Sequence, residues 1–343
     1  MSSSPSLGRP LGLLLTALTN TFLRASVLIL AVATAPVVIS AQPAGRIYRL
    51  GLLSPEAPPP GLLEAFNEGL HDLGYIEGKN IHLESRHASG RSEQLAGLAA
   101  ELVQLRVDVI VAINTSAALA ARDATATIPI VITRVSNPVE TGLVRSFAHP
   151  GGNITGLSFQ PEETSVKRLQ LLKQAVPSVA RVAVLWDAVN PGPNLTVKVL
   201  EPASLQLGLQ LLKLPAKEPT DLQSAVQMAA RSHANALFVV DDVFVTSYRR
   251  QILEIATKHS LPVISQYRDF VELGGLLAYG PSIREMYRRT AHYVDRILRG
   301  SRPADLPIEQ PTKYDLVVNL KTATMLGFNV PSTVLSQADE VIH

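Results

Sequence analysis

Cysteine is absent from this 343-residue sequence. That excludes disulfides, thiolate nucleophiles, zinc–thiolate centres and a lipid-modified N-terminal cysteine. The fold must therefore hold by core packing, and the chain is long enough for two lobes with a core each. Aromatic residues are scarce, at 5% with a single tryptophan, which leaves few platforms for stacking a sugar ring. Neither sign of charge dominates: 31 Lys and Arg face 29 Asp and Glu. The small basic surplus is Arg9 and Arg24, both within Met1–Ala41, where no acidic residue occurs. The remainder is balanced and has no bulk charge to attract nucleic acid or an anionic membrane. Apolar residues at 46% and charged residues at 17% describe a folded globular chain rather than a disordered one.

Catalytic motifs are missing too. No Gly-rich phosphate loop opens a helix, and there is no G-x-S-x-G elbow or H-E-x-x-H pair. The histidines, such as His71, His82, His149 and His292, are scattered without metal-ligand spacing. No cofactor or metal is expected, and the chain does not read as an enzyme.

What is present begins with Ala25–Ala41, a run of small and apolar residues behind Arg24 that ends in Ile39-Ser40-Ala41. This is the order of a secretory signal peptide, so residues 1–41 are expected to be cleaved and the remainder released into the periplasm. The alternative is a retained anchor, which would make the chain a membrane-tethered ligand sensor.

From Ile47 onward short β-rich apolar runs alternate with segments of helical period. Tyr48–Leu53, Ile81–Arg86, Val109–Ile113 and Ile128–Ile132 read as strands. Between them, Leu62, Phe66, Leu70 and Leu73 mark one helix face, and Leu95, Leu98, Leu102 and Leu105 mark another. The turn cluster His149–Asn153 reads as the passage to a second set of units, with strands at Val182–Trp186, Gln210–Leu214, Ala236–Val240 and Pro262–Ser265. Thr220 and Gln223 read as a capping box for the helix carrying Leu222 and Val226. After Gly274-Gly275 come a strand at Leu276–Tyr279, a long helix Ile283–Leu298 and a proline-punctuated extended stretch through Pro303, Pro307 and Pro311. Such alternation implies right-handed βαβ crossovers and mostly parallel sheets, an α/β fold. Residues 42–153 and 280–306 are assigned to a first lobe, and 154–279 and 307–343 to a second.

Polar residues recur at the C-terminal ends of these strands. They are Ser54; Asn114, Thr115 and Ser116; Ser136 and Asn137; then Asp187 with Asn190, Asp241 with Asp242, and Gln266 with Tyr267. Ligands of open parallel sheets bind beyond those ends, where helix N-termini present free N–H groups. Thr115 and Ser116 are candidates for a ligand carboxylate, and Asp241 or Asp242 for an ammonium or hydroxyl. Each of these residue types also caps helices, so the reading rests on the set facing one cleft. Trp186, at the end of an apolar strand, is expected in the core, and Tyr267 at the pocket wall. A hydrolase or lyase with Asp241 or Asp242 as base ranks last, because no nucleophile, metal set or cofactor motif accompanies them.

Five stretches, in order, resemble the substrate-binding proteins of ABC transporters: Phe66–Ile81, Leu98–Ala112, His149–Phe159, Gly274–Pro281 and Ala304–Gly327. The likeness is to the type I periplasmic binding proteins, in the branch of tryptophan- and aromatic-amino-acid-type binders. It implies two Rossmann-like lobes with parallel sheets joined by three crossover strands, closing by a hinge on a small-molecule ligand. It further implies a monomer that delivers an amino acid or related metabolite to the permease subunits of an importer. In that family the first-lobe loops matching Thr115-Ser116 and Ser136-Asn137 hold the carboxylate and amino groups of such ligands. Many members have aspartate where Asn137 stands, which removes a negative charge here.

Overall fold

The computed structural model describes residues 46–343 except Gln160 and Asp241, and omits the side chains of residues 161–163. The expected signal segment, residues 1–41, and the candidate Asp241 thus lie outside the described residues. Ile47–His343 form one body built on two sheets.

The first sheet contains β1 (Tyr48–Ser54), β2 (Ile81–His87), β3 (Val109–Ile113), β4 (Ile130–Ser136) and β5 (Ile154–Phe159) in the order β2-β1-β3-β4-β5. All of its pairings are parallel. The near-continuous apolar runs of β3, β4 and β5 follow from this, because a parallel sheet is covered by helices on both faces. On one face Leu50, Leu52, Val109 and Val111 pack with Phe66 and Leu70 of helix Pro60–Asp72. On the other, Ile110, Ala112 and Ile130 meet Leu102 and the small side chains Ala117, Ala118 and Ala121.

The second sheet contains β6 (Arg181–Asp187), β7 (Gln210–Ala216), β8 (Ala236–Val239), β9 (Val263–Ser265), β10 (Leu277–Gly280), β11 (Asp315–Asn319) and β12 (Glu340–Ile342). Their order is β12-β11-β10-β9-β8-β6-β7, parallel except between β10 and β11. Its two apolar layers centre on Val182, Val184, Phe238 and Ile264 on one face, and Ala183, Leu185, Leu237 and Val239 on the other. Trp186 joins the first of these layers, with its Nε1 donating to Asn194 Oδ1 at 2.8 Å.

The chain passes between the sheets after β5, again at Pro281-Ser282, and once more along residues 306–314. Helix Ile283–Leu298 belongs to the first lobe, where Met286, Tyr287, Ala291 and Val294 bury against helix Pro60–Asp72. Arg284 brackets the Glu68 carboxylate at 2.7 Å along the rim of that contact.

Two features depart from the sequence reading. Ile154–Phe159, assigned to the second lobe, is the outer strand of the first sheet, so the first passage follows Phe159 rather than Asn153. All six of its residues are buried, and pairing with β4 is what buries them. The helix Pro219–Arg231 starts earlier than a Thr220 cap allows: Pro219 takes the first position, and Asp221 Oδ2 accepts from the backbone N–H of Lys217 and Glu218 at 2.8 and 3.3 Å.

One irregularity shapes the site. The β4–β5 register runs from Ile132↔Gly156 to Val135↔Ser158, which places one extra residue on β4. Arg134 within this bulge has φ +55°, and Gly156 opposite has φ +133°. A Cβ on Gly156 would lie 2.2 Å from the carbonyl oxygen of Ile132, so only glycine fits. Gly156→Ala is expected to destabilise the fold by about 2 kcal/mol or more, seen as a lower urea midpoint at unchanged slope.

Candidate functional site

Both sheets carry the same local strand order, β2-β1-β3-β4-β5 in one and β7-β6-β8-β9-β10 in the other. In each, the crossovers leave the first strand of the set in opposite directions, between β1 and β3 and between β6 and β8. That divergence opens a crevice beyond the C-terminal ends of the strands. β1 and β6 end in Ser54 and Asp187, and the loops after β3 and β8 carry Asn114 and Asp242. The two crevices face each other, and all four residues are buried.

Asp242 stands at the centre of the contact. Its Oδ1 caps helix Val243–Ser247 by accepting from Val245 N–H at 3.0 Å. Its Oδ2 accepts from Asn190 Nδ2 at 3.1 Å in its own lobe and from Asn114 Nδ2 at 3.4 Å across the gap. Both asparagines are themselves helix caps: Asn114 Oδ1 accepts from Ala117 N–H at 2.9 Å and Asn190 Oδ1 from Gly192 N–H at 3.2 Å. Capping and bridging are therefore done by opposite ends of the same amides. Asn114 reaches this pose with φ +84°, a left-handed conformation that asparagine tolerates better than most residues.

The remaining candidates divide. Thr115 Oγ1 accepts from Ser136 N–H at 3.3 Å, which ties the ends of β3 and β4 together. Ser54 pairs with His87 Nδ1 at 2.9 Å, within the first lobe. Asn137 has φ +47°, and its carbonyl accepts from Thr141 N–H and Oγ1 at 3.0 and 2.9 Å in a turn. Ser116 and Asn137 are only half-buried. Tyr267 reaches across from the second lobe and packs with Val243 in the first lobe's apolar cluster, beside Phe159, Ile283 and Tyr287. The lobes are in direct contact at helix Pro191–Gln206 as well. A Cβ on Gly192 would lie 2.8 Å from Thr115 Oγ1 and 3.0 Å from Ser136 Cβ.

Several residues at this junction were not singled out from the sequence. Glu56, in the loop after β1, lies within 3.5 Å of the Tyr248 hydroxyl across the gap. Burial, together with the charge of Asp242, raises its pKa, while the Tyr248 hydroxyl pulls the other way. Arg134 is buried, donates from Nη2 to Thr246 Oγ1 at 3.3 Å, and has its guanidinium carbon 4.9 Å from the Tyr267 ring centroid. Burial works against its charge, but the oxygens of Tyr267, Tyr287 and Asp242 hold its pKa above the usual arginine value. A sequence signal for Arg134 existed, since it is the only charge in the apolar run Ile130–Ser136. Glu56 and Tyr248 had no such signal.

Asp187 accepts from the backbone N–H of Val189 at 2.8 Å and of Asn190 at 3.3 Å. Burial, and then the charge of Asp242, outweigh those bonds and push its pKa up to about 8. The junction thus brings Glu56, Asp187 and Asp242 together, with Arg134 near enough to feel the charge of Asp242. Among the described residues no group of three or more His, Asp or Glu is placed to hold a metal ion. No helix among them is long and apolar enough to cross a membrane. The arrangement offers charge-assisted hydrogen bonds to a small polar guest enclosed between two lobes.

Two α/β lobes meeting through their strand-end loops over a buried polar junction define the class of hinged solute-binding proteins. The model of the ABC transporter substrate binding protein family matches residues 61–342, and the chain belongs to that family. It is 25% identical over 281 residues to the "Tyrosine-binding protein" of Clostridioides difficile (strain R20291), covering 81% of this chain and 80% of that one. A crystal structure of a conserved domain protein from Vibrio cholerae superposes with a TM-score of 0.80 at 29% identity, over 86% of this chain and all of that one. The ABC domain from Streptococcus pneumonia solved with L-Trp superposes with a TM-score of 0.79 at 24% identity, again over 86% of this chain and all of that one. The family is one of substrate-binding proteins, not of enzymes, so the chain takes a small-molecule ligand on behalf of an ABC transporter.

Two outcomes follow from this geometry. Gly192→Ala pushes a methyl group into Thr115 and Ser136, so small-angle scattering should show a larger radius of gyration while the far-UV dichroism stays that of the parent. Between the ordinary aspartate value of 3.8 and about 8, the folded protein holds a proton on Asp187 that the unfolded chain has released. Stability therefore falls as pH rises through that window, by up to about 1.4 kcal/mol per pH unit. Urea midpoints at pH 5 should exceed those at pH 8, and Asp187→Asn should flatten the difference.

Proposed function

We propose that this protein is the periplasmic solute-binding component of an ABC importer, and that it captures an amino acid by closing its two lobes around it. The ligand is handed unchanged to the transporter's permease subunits, and the protein acts as a monomer. Export would proceed through the leader at residues 1–41, and the absence of cysteine leaves no site for a lipid anchor.

The observation that carries this reading is the convergence on Asp242. Loops from both sheets bring Asn114, Asn190, Asp187 and Glu56 to one carboxylate, inside a contact that exists only while the lobes are together. Such a cluster suits the ammonium of an amino acid, which neutralises acidic groups that otherwise repel one another. The names of two similar proteins, one a tyrosine binder and one solved with L-Trp, support an aromatic amino acid in particular.

The test is isothermal titration of purified mature protein with the common L-amino acids, followed by mass spectrometry of the recovered ligand. Saturable binding of an aromatic amino acid, recovered intact, is expected. The melting temperature should rise with ligand concentration, because binding to the native state stabilises it by mass action. Failure of every amino acid to bind, or recovery of a converted product, would sink the proposal.

A further inference from the structure

Arg134 breaks the rule that buried charges are paired. Its residue is 3% exposed, yet its Nε and Nη1 have no hydrogen-bond acceptor, and only Nη2 is used, toward Thr246 at 3.3 Å. Among the described residues no carboxylate lies within ion-pair distance of it. The other cations around it show the contrast. Arg268 is matched by Glu272 and Glu340, Arg284 by Glu68 and Lys313 by Asp315. Arg268, Arg284 and Lys313 share the wall of one cavity of about 590 Å³ with Arg134, Thr246 and Tyr267, between the lobes.

The backbone shows that this placement is built in. The extra residue in β4 turns Arg134 out of the normal in–out alternation, at a left-handed φ that a side chain adopts only against resistance. The left-handed backbone at Arg134 weighs against the unliganded fold, and Nε and Nη1 remain without an acceptor even though Tyr267, Tyr287 and Asp242 favour its charge. A planar guanidinium with free donors on two of its edges is the group best shaped to receive a carboxylate.

We propose that Arg134 is the carboxylate receptor of the interlobe site, and that it restricts the ligand to molecules carrying a carboxylate. The acidic side of the junction, Asp242 with Asp187 and Glu56, then faces the other end of a zwitterion. This assigns the carboxylate to the charged, planar fork of Arg134 rather than to the neutral hydroxyls of Thr115 and Ser116. The inference rests on the binding-protein reading and names the substrate class for it.

The test separates the two claims. Mature protein is titrated with L-tyrosine, L-tryptophan and 3-(4-hydroxyphenyl)propanoate, and with tyramine and tryptamine, which keep the ring and lose the carboxylate. The carboxylates are expected to bind at least about 100-fold more tightly than the amines. Arg134→Met should abolish that advantage and leave the amines within about threefold of the parent. Its unliganded melting temperature should stay within a few degrees of the parent, because two unsatisfied buried donors go while the attractions to Tyr267, Tyr287 and Asp242 are lost. Arg134→Lys, which keeps the charge without the planar fork, should lose about tenfold. Amines binding the parent as tightly as the amino acids, or folded Arg134→Met binding L-tyrosine with parental affinity, overturns the assignment and leaves the binding-protein reading standing. If Arg134→Met does not fold, the comparison of probes on the parent protein decides alone. A parent protein that binds none of the five probes overturns the assignment together with the amino-acid reading.

Discussion

The Asp242 carboxylate ties the two halves of this molecule together. It caps a helix in one lobe, and its second oxygen accepts an amide from each lobe, from Asn190 and from Asn114. A buried carboxylate needs such partners, because stripping its water without replacement costs several kcal/mol. Neither lobe alone supplies them all. The bond to Asn114 forms only when the lobes meet, so the electrostatics of one side chain couple to the position of the whole second lobe. Two further acids, Asp187 and Glu56, crowd the same place, and burial raises the pKa of both. Closure is thus favoured by hydrogen bonds and opposed by clustered charge, a balance that a small charged guest can tip.

The rest of the fold holds this junction in register. Parallel sheets with covered faces fix the strand ends to within a side chain, because shifting one strand would expose an apolar row. Helix Ile283–Leu298 docks on the first lobe although its neighbours in sequence, β10 and β11, belong to the second. The chain thereby crosses between lobes three times. Passages lying side by side leave rotation about them as the easy motion, which is the geometry of a hinge. The site also departs from ideal backbone where it matters most. The β4 bulge, the left-handed Asn114 and the left-handed Arg134 all lie at the lobe contact or point into it.

Much of the architecture could be read along the chain. Apolar runs such as Val109–Ile113 and Val182–Trp186 became strands, and rows such as Leu62, Phe66 and Leu70 became helix faces, because periodicity is a local property. Of the strand-end residues chosen for their polarity, Asn114 and Asp242 bond across the lobes, and both, like Asn190, cap helices as well. Ile154–Phe159 was harder to place, since a short apolar run does not announce which sheet it will join. Glu340–Ile342 gave no signal at all, being three residues long and only half-buried. Arg134 carried a signal that went unused: a lone charge in a buried strand is a burden unless it has a purpose.

Sequence alone determined the alternation of strands and helices, the balance of charge after residue 41 and the exclusion of cysteine chemistry, because each depends on composition or on spacing between near neighbours. It also determined that polar residues cluster at strand ends. Only the tertiary structure decided which of them meet. Asn114 and Asp242 stand 128 residues apart, Arg134 and Thr246 stand 112 apart, and nothing in the intervening chain encodes their distance in space. That distance is set by two sheets packing through their loop ends, a long-range arrangement in which one extra residue in β4 re-aims a guanidinium toward the gap between the lobes.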